Sequence, residues 1–342
     1  MSTKSKNSNF QSAKDSKQDE FYTQLSDIEK ELKHYKKHFK GKVVYCNCDD
    51  PRVSNFFHYF SHNFEKLGLK KLISTCYKSQ DLDLFSQNKS EKAIHIEYLG
   101  DKNNNNMPDL EEIGIKELQG DGDFRSPESI ELLKQADIVV TNPPFSLFRE
   151  YVSQLMEYDK SFLIVGNQNA ISYKEIFNLI QANKLWQGYK CGDMAFKVPN
   201  HYEARETRYW EDDHGQKWRS LGNACWYTNL DISKRHEELI LYKKYTPEEF
   251  PIYANFEAIE VGQVKDIPCD YDGAMGVPVT FLDKFNPSQF EILGSSRTLG
   301  RPMSEVSEIG SYLQGGPRFY LPNEDGTYRR LYDRIVIRRL KK

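Results

Sequence analysis

Asn142-Pro143-Pro144-Phe145 is the stretch of this 342-residue chain whose residue types most directly imply chemistry. The amide oxygen of Asn142 and a backbone carbonyl of the turn are two hydrogen-bond acceptors, matching the two N–H bonds of a planar amine such as the exocyclic amine of adenine. Such an amine is a poor nucleophile because its lone pair is delocalised into the ring, and holding both N–H bonds frees that pair. Consecutive prolines fix φ and have no N–H of their own, so Pro143 and Pro144 make a stiff turn whose carbonyl is not drawn into a ladder. Phe145 offers a flat apolar face, on which a base taken out of its duplex recovers part of the stacking it lost. No strong general base is needed, since the amine loses its proton only after it becomes cationic. The plain alternative for this tetrapeptide is a rigid loop after a strand.

Two further segments suit a ligand that carries an amino-acid end and an adenine. The first is Cys48-Asp49-Asp50-Pro51-Arg52-Val53-Ser54, where a strand must turn into a helix. Helix N–H groups can take a carboxylate there, Asp49 or Asp50 can take an amine, Pro51 stiffens the entry and Ser54 can cap the helix. The second is Gly120-Asp121-Gly122-Asp123-Phe124, in which Asp123 offers a carboxylate to an adenine amine and Phe124 a ring to its face. A helix start and an Asp/Gly turn are the respective plain alternatives.

The elements that must position these residues follow from periodicity. Apolar residues from Phe21 to Phe39 recur at spacings of three and four, which predicts one helix ending near Gly41. Residues 42–48 read as a strand, Ser54 to Leu67 as a helix closed by Gly68, and Lys70 to Cys76 as a second strand: a βαβ unit. Lys78 to Leu118 reads as an insertion with one strand at Ala93 to Leu99. Asp137 to Thr141 then reads as a buried strand, Leu147 to Met156 as a helix, Ser161 to Val165 as a strand and Tyr173 to Asn183 as a helix. Together these describe a doubly wound α/β sheet, with Asn142 directly after a strand, where such sheets bind ligands. An antiparallel hairpin is expected around Met194 to Val198 and Ala224 to Asn229. From about Ile232, Pro and Gly punctuate short apolar runs, which suggests a separate mixed unit.

Composition narrows the function classes. Apolar content of 38%, with 20 Phe and 21 Tyr, supports a packed core, and no apolar run is long enough to span a membrane. Residues 1–20 are polar and expected to be disordered, without a signal-peptide pattern, so a cytoplasmic location is expected. Cysteines at 46, 48, 76, 191, 225 and 269 have no metal-site spacing, so reduced structural thiols and no metal are expected. The net charge of −3 does not announce a polyanion binder, yet from Arg297 onward ten Lys or Arg face five acids.

These residues resemble the EcoRI-type adenine-specific DNA modification methylases. The resemblance is carried by Cys48-Asp-Asp-Pro-Arg-Val-Ser-Asn-Phe-Phe57, Leu67-Gly-Leu-Lys-Lys-Leu-Ile73, Asn142 to Phe145, Trp226-Tyr-Thr-Asn-Leu-Asp231, and Pro268-Cys-Asp-Tyr-Asp-Gly273 running on to Leu293. It implies a class I methyltransferase fold, Rossmann-like and doubly wound, with a C-terminal mixed target-recognition unit. It also implies methyl transfer from S-adenosylmethionine to N6 of a flipped adenine in double-stranded DNA, by a monomer. A cognate restriction endonuclease reading the same site without a stable complex is a further implied partner. Matched to the family, Asn142, Pro143, Pro144 and Phe145 hold the target base, while Asp49, Asp50, Pro51, Ser54, Asp123 and Phe124 hold the donor. Two features depart from the family pattern: Ser54 stands where a Gly is common, and Ser74-Thr75-Cys76-Tyr77 lacks the acid that usually binds the ribose. The expected organisation is a polar tail over 1–20, a catalytic domain over 21–231 and a recognition region over 232–342. DNA reading is expected either from the loop at 201–219, with Arg205, Arg208 and Arg219, or from the final region. An amino-methyltransferase acting on RNA or a protein glutamine, and an inactive DNA-binding relative, are the competing readings.

Overall fold

The computed structural model describes residues 21–48, 54–75, 93–103, 105, 108–109, 112–200 and 202–340. The polar tail over 1–20, the expected donor residues Asp49, Asp50 and Pro51, and Cys76-Tyr77 after the second strand all lie outside the described residues. The chain divides into two compact units, one formed by residues up to 178 with 185–230, the other by 179–184 with 231 onward.

The first unit is mixed α/β, organised on a ten-stranded sheet. Its strands are β1 (Tyr22–Thr23), β2 (Val43–Cys46), β3 (Lys71–Thr75), β4 (Ile94–Tyr98), β5 (Ile113–Glu117), β6 (Ile138–Thr141), β7 (Ser161–Asn167), β8 (Trp186–Lys197), β9 (Tyr209–Glu211) and β10 (Lys217–Thr228). The spatial order is β1-β8-β10-β7-β6-β2-β3-β4-β5, with β9 pairing β10 off that path. Strands β7, β6, β2 and β3 run parallel at the centre. Val43–Cys46 and Ile138–Thr141 are buried throughout, as continuous apolar runs in a covered parallel sheet should be. All the remaining pairings in this sheet are antiparallel.

Helices are α1 (Leu25–Leu32), α2 (Lys36–Phe39), α3 (Asn55–His62), α4 (Phe64–Leu67), α5 (Pro127–Gln135), α6 (Phe148–Glu157) and α7 (Lys174–Gln181). The single helix expected from Phe21 to Phe39 is instead an edge strand followed by two helices, because Tyr22 and Thr23 find ladder partners in Lys197 and Phe196. The helix expected over Ser54 to Leu67 is interrupted at Asn63 and closes at Gly68 with φ 63, where a residue without Cβ carries no steric cost. The insertion supplies two strands rather than one, β4 and β5, which extend the sheet from β3. Helix α5 has no counterpart in the sequence reading; Ser126 caps it by accepting from the Ser129 N–H at 3.2 Å, with Pro127 at its first turn.

The expected reduced state of all six cysteines also needs correction. Cys191 on β8 and Cys225 on β10 face each other in register, 4.0 Å apart at Cα, and are joined as a disulfide. Spacing along the chain carries no sign of that pairing, since it arises only from the register of the hairpin.

The second unit holds a four-stranded mixed sheet in the order β11-β12-β16-β13 and a separate pair β14-β15. These are β11 (Ile259–Glu260), β12 (Met275–Pro278), β13 (Phe290–Ser295), β14 (Tyr320–Pro322), β15 (Tyr328–Arg330) and β16 (Arg334–Arg339). A short helix, α8 (Ser296–Leu299), follows β13. Tyr253 and Phe319 stack at 4.4 Å within a core that includes Leu321 and Val336. Much of the C-terminal positive charge is consumed inside this unit: Arg334 forks onto Glu260, Arg297 and Arg318 share Asp333, and Arg338 pairs Glu291.

One buried carboxylate organises the α1 side of the large sheet. Glu31 is fully buried and accepts from the Tyr35 hydroxyl at 2.8 Å and from the N–H groups of Tyr189 and Lys190 at 2.7 and 2.9 Å. Gly188 leaves room for it, because a Cβ there would sit 2.3 Å from the Glu31 Oε1. Removing the acceptor leaves three donors without partners, each costing on the order of 1 kcal/mol or more. Glu31→Ala is therefore expected to lower unfolding free energy by about 3 kcal/mol. Urea unfolding checks this, and a midpoint within error of the parent would show that the carboxylate is not what ties α1 to β8.

Candidate active site

Strands β2 and β6 are neighbours although 90-odd residues separate them, so their carboxyl ends open side by side at the point where the strand order reverses. That is where an open α/β sheet leaves a crevice for ligands. The two ends are joined by side chains. The Thr141 hydroxyl donates to the carbonyl of Asn47, and the Tyr151 hydroxyl, from α6, donates to the Asn47 Oδ1. Burial holds the Tyr151 phenol well above its usual pKa, so it stays a proton donor to Asn47. Cys48, next in the chain, takes φ 80, a left-handed conformation uncommon for a residue with a Cβ, and so turns the chain abruptly at the end of β2.

Asn142 follows Thr141 and is 6% exposed. Its Nδ2 donates to the backbone carbonyl of Phe21, whereas its Oδ1 is buried and has no hydrogen-bond partner. A buried amide oxygen without a donor costs on the order of 1–3 kcal/mol, which a ligand N–H would return. Among the described residues nothing donates to the carbonyl of Pro143, which is itself buried. Pro144 is half-buried at φ −53 and its carbonyl closes a short turn onto the Leu147 N–H at 2.9 Å. Phe145 is half-buried, with its ring 5.4 Å from that of Phe21. Phe21 in turn touches Phe196 at 5.5 Å and Tyr202 at 6.2 Å, and Tyr202 stacks on Tyr209 at 6.4 Å. A row of rings thus runs from the turn to the hairpin formed by β8, β9 and β10.

On the other side of Asn47, Phe124 is buried with its ring edge-on to Tyr151 at 5.0 Å. Asp123 is present beside it, but its carboxylate is engaged by Arg125, at 2.6 Å from Nη2. Gln119 and Gly120 donate their N–H groups to Glu128, which fixes the glycine loop on α5. Ser54 sits at the N-terminus of α3, 2% exposed, and its hydroxyl caps nothing: Oγ has no partner. The Oγ1 of Thr23 is likewise buried and unpartnered, and the Asn55 Nδ2 donates to the Thr23 carbonyl at 2.8 Å, bringing the two hydroxyl-bearing segments together. On β3, the Ser74 Oγ is a third buried hydroxyl without a partner.

Of the residues singled out from sequence, Asn142, Pro143, Pro144 and Phe145 share one turn, Ser54 starts α3, and Asp123 and Phe124 lead into α5. Phe21, Thr23, Asn47 and Tyr151 were not singled out. The signal for Asn47 and Tyr151 is faint: a polar residue closing an apolar strand, and a polar-tipped ring on the inner face of a helix. Phe21 and Thr23 fall within an apolar stripe of helical spacing, which hides them.

The sequence pattern of a family described as "Adenine-specific methyltransferase EcoRI" matches residues 9–340. The chain is 54% identical over 285 residues to the Type II methyltransferase M.EcoRI of Escherichia coli, covering 82% of this chain and 87% of that protein. It is 39% identical over 342 residues to the Type II methyltransferase M.MgeORF184P of Mycoplasma genitalium, covering 96% of this chain and 98% of that protein. The Type II methyltransferase M.MpnI of Mycoplasma pneumoniae is 37% identical over 340 residues, covering 96% and 97% respectively. No solved structure matches significantly.

If Asn47 joins the two strand ends, Tyr151→Phe should cost about 1 kcal/mol of unfolding free energy, one buried hydrogen bond, with the weak Cys48 thiol left as the donor to the Asn47 Oδ1. Urea denaturation reads the difference, and an unchanged midpoint would remove Tyr151 from that link.

Proposed function

Because the chain belongs to the EcoRI family of adenine-specific methyltransferases, we propose that its Asn142 turn receives the exocyclic N6 amine of an adenine flipped out of duplex DNA. The protein is a DNA adenine methyltransferase of the restriction–modification type. The observation that carries the site assignment is the bare, buried Oδ1 of Asn142 beside an unengaged Pro143 carbonyl. Two acceptors at one rigid turn are what a planar NH2 needs, and Phe145 lies next to them to cover the ring.

The methyl donor is of the S-adenosylmethionine type, and when bound it supplies an electrophilic methyl carbon on a sulfonium. The residues present fit it. Buried, unpartnered hydroxyls of Ser54 and Thr23 at the N-terminus of α3 suit its carboxylate, together with the helix N–H groups. Phe124 suits the face of its adenine, Asp49, Asp50 and Pro51 are read as part of the donor site, and Asp123, engaged by Arg125, is read as the carboxylate nearest the donor's adenine amine. Asn142 and Pro143 hold the two N–H bonds so that the N6 lone pair points along the line of attack. The donor, when bound, would supply the methyl group and its sulfur would keep the electron pair of the broken bond, while Asn142 and Pro143 hold the amine until its extra proton passes to water. Asn142 lowers the barrier by accepting charge as the amine becomes cationic, with no proton removed beforehand.

The first unit is read as a class I, Rossmann-like catalytic domain over 21–231, and residues 232–342 as the target-recognition region. Arg301 and Arg329 support that role for the second: both are exposed and form no ion pair with a described residue, so they are available to phosphates or guanine edges. The same reading makes the protein a monomer on its site, with a restriction endonuclease of the same specificity as a separate protein. No described helix is long and apolar enough to cross a membrane.

Transfer of a labelled methyl group to adenine-containing duplex DNA, adenine-free duplex, RNA and protein tests this. Label is expected only in the first, and Asn142→Ala should lower kcat by about a thousandfold while donor affinity changes less than threefold. Near-parental turnover of Asn142→Ala would displace the target base from this turn.

A further inference from the structure

We infer that Phe21 is a positioning residue for the methyl transfer: its backbone carbonyl selects which end of the Asn142 amide faces the target amine. The inference rests on the reading of Asn142 given above and adds to it a determinant from outside the motif.

The two ends of an Asn side chain are nearly the same shape, and only hydrogen bonding decides which way the amide lies. A carbonyl oxygen is an acceptor and nothing else. The Phe21 carbonyl therefore requires the Nδ2 end of Asn142 against it, and that is the end it meets. The Oδ1 is thereby turned the other way, buried and bare. With the amide reversed, Oδ1 would oppose the Phe21 carbonyl and Nδ2 would confront the adenine N–H, donor against donor. A side chain without that anchor both samples the reversed state and lets Oδ1 drift from the amine, so turnover falls by up to the worth of the lost hydrogen bond.

The carbonyl is held in place by the ring of its own residue. Phe21 packs on Phe145 at 5.4 Å, Phe196 at 5.5 Å and Tyr202 at 6.2 Å, immediately before β1 joins the sheet edge. One residue thus fastens both components of the pocket, the amide through its backbone and the stacking ring through its side chain. The partners lie 121 positions apart in the chain, so nothing in the motif itself announces the dependence.

The test is a double-mutant cycle in the full chain between Phe21→Ala and Asn142→Asp. An Asp at 142 still offers an oxygen to the amine but has no N–H for the Phe21 carbonyl, so the selection no longer operates. Phe21→Ala is expected to lower kcat about tenfold in the parent, the equivalent of one hydrogen bond, with the donor KM unchanged. In the Asn142→Asp background it should change kcat less than twofold, and Phe21→Leu should restore most of the parental rate. An equal loss in both backgrounds would overturn the inference while leaving the pocket intact, whereas near-parental activity of Asn142→Asp and Asn142→Ala together would overturn the pocket reading first. If Phe21→Ala does not fold, the cycle is run with Tyr22 replaced by its α-hydroxy acid. That makes the Phe21 carbonyl a weaker ester acceptor and keeps every side chain; the same outcomes decide.

Discussion

Everything around the site depends on two strand ends being locked to each other through Asn47. Its carbonyl takes the Thr141 hydroxyl and its side-chain oxygen takes the Tyr151 hydroxyl, so one residue at the end of β2 binds both the end of β6 and a helix behind it. Parallel strands are held along their length by backbone bonds, but those stop where the strands do. Past that point the segments that follow the two strands, proposed to hold donor and target, would be free to diverge. Phe124 leans on the same Tyr151, so the loop proposed to hold the donor's adenine is registered against the same hub. Transfer of a methyl group between two separately bound molecules depends on that mutual placement, because an error of an ångström removes most of the advantage of having both bound.

The central sheet was legible because its signals are local. Val43–Cys46, Ile138–Thr141 and the first half of Ser161–Asn167 are short apolar runs bounded by polar or turn residues, which is how buried parallel strands read. The tetrapeptide at 142–145 was legible for a different reason, since its chemistry is written in residue type and its place at a strand end follows from the run before it. What stayed hidden are contacts made by residues distant in the chain. Tyr22 and Thr23 fit a helical stripe by spacing and are drawn into a sheet edge only because Phe196 and Lys197 offer ladder bonds. The hairpin strands β8 and β10 each run to 12 residues, well past the apolar cores at Met194 to Val198 and Ala224 to Asn229, since their outer halves are polar and carry no alternation to read. The cross-strand pair Cys191 and Cys225 is a product of that register.

Charge was the least reliable guide. The Arg-rich C-terminal stretch suggests a surface for a polyanion, yet several of its guanidiniums hold the second unit together. Arg334 is 13% exposed against Glu260, which also accepts from Tyr253 in the core. Such a pair needs good hydrogen bonding to offset its desolvation, and here Glu260 takes both Nε and Nη2 of Arg334 as well as the Tyr253 hydroxyl. Counting charges along the sequence cannot separate an Arg that builds the unit from an Arg left over for a ligand; only Arg301, Arg329 and similarly unengaged positions fall in the second group.

Strand β1 pairs with β8, and Phe21 just before it meets an asparagine 121 positions later. During translation the earlier partner emerges first and has nothing to bind until most of the first unit has left the ribosome, a delay of about ten seconds at ordinary elongation rates. A nascent chain therefore exposes Phe21 until the hairpin emerges, and its contacts with Asn142 and Phe196 form late, in a near-single event. The interval between synthesis of the Asn142 turn and completion of its surroundings is then set by the emergence of the hairpin rather than by the appearance of the turn.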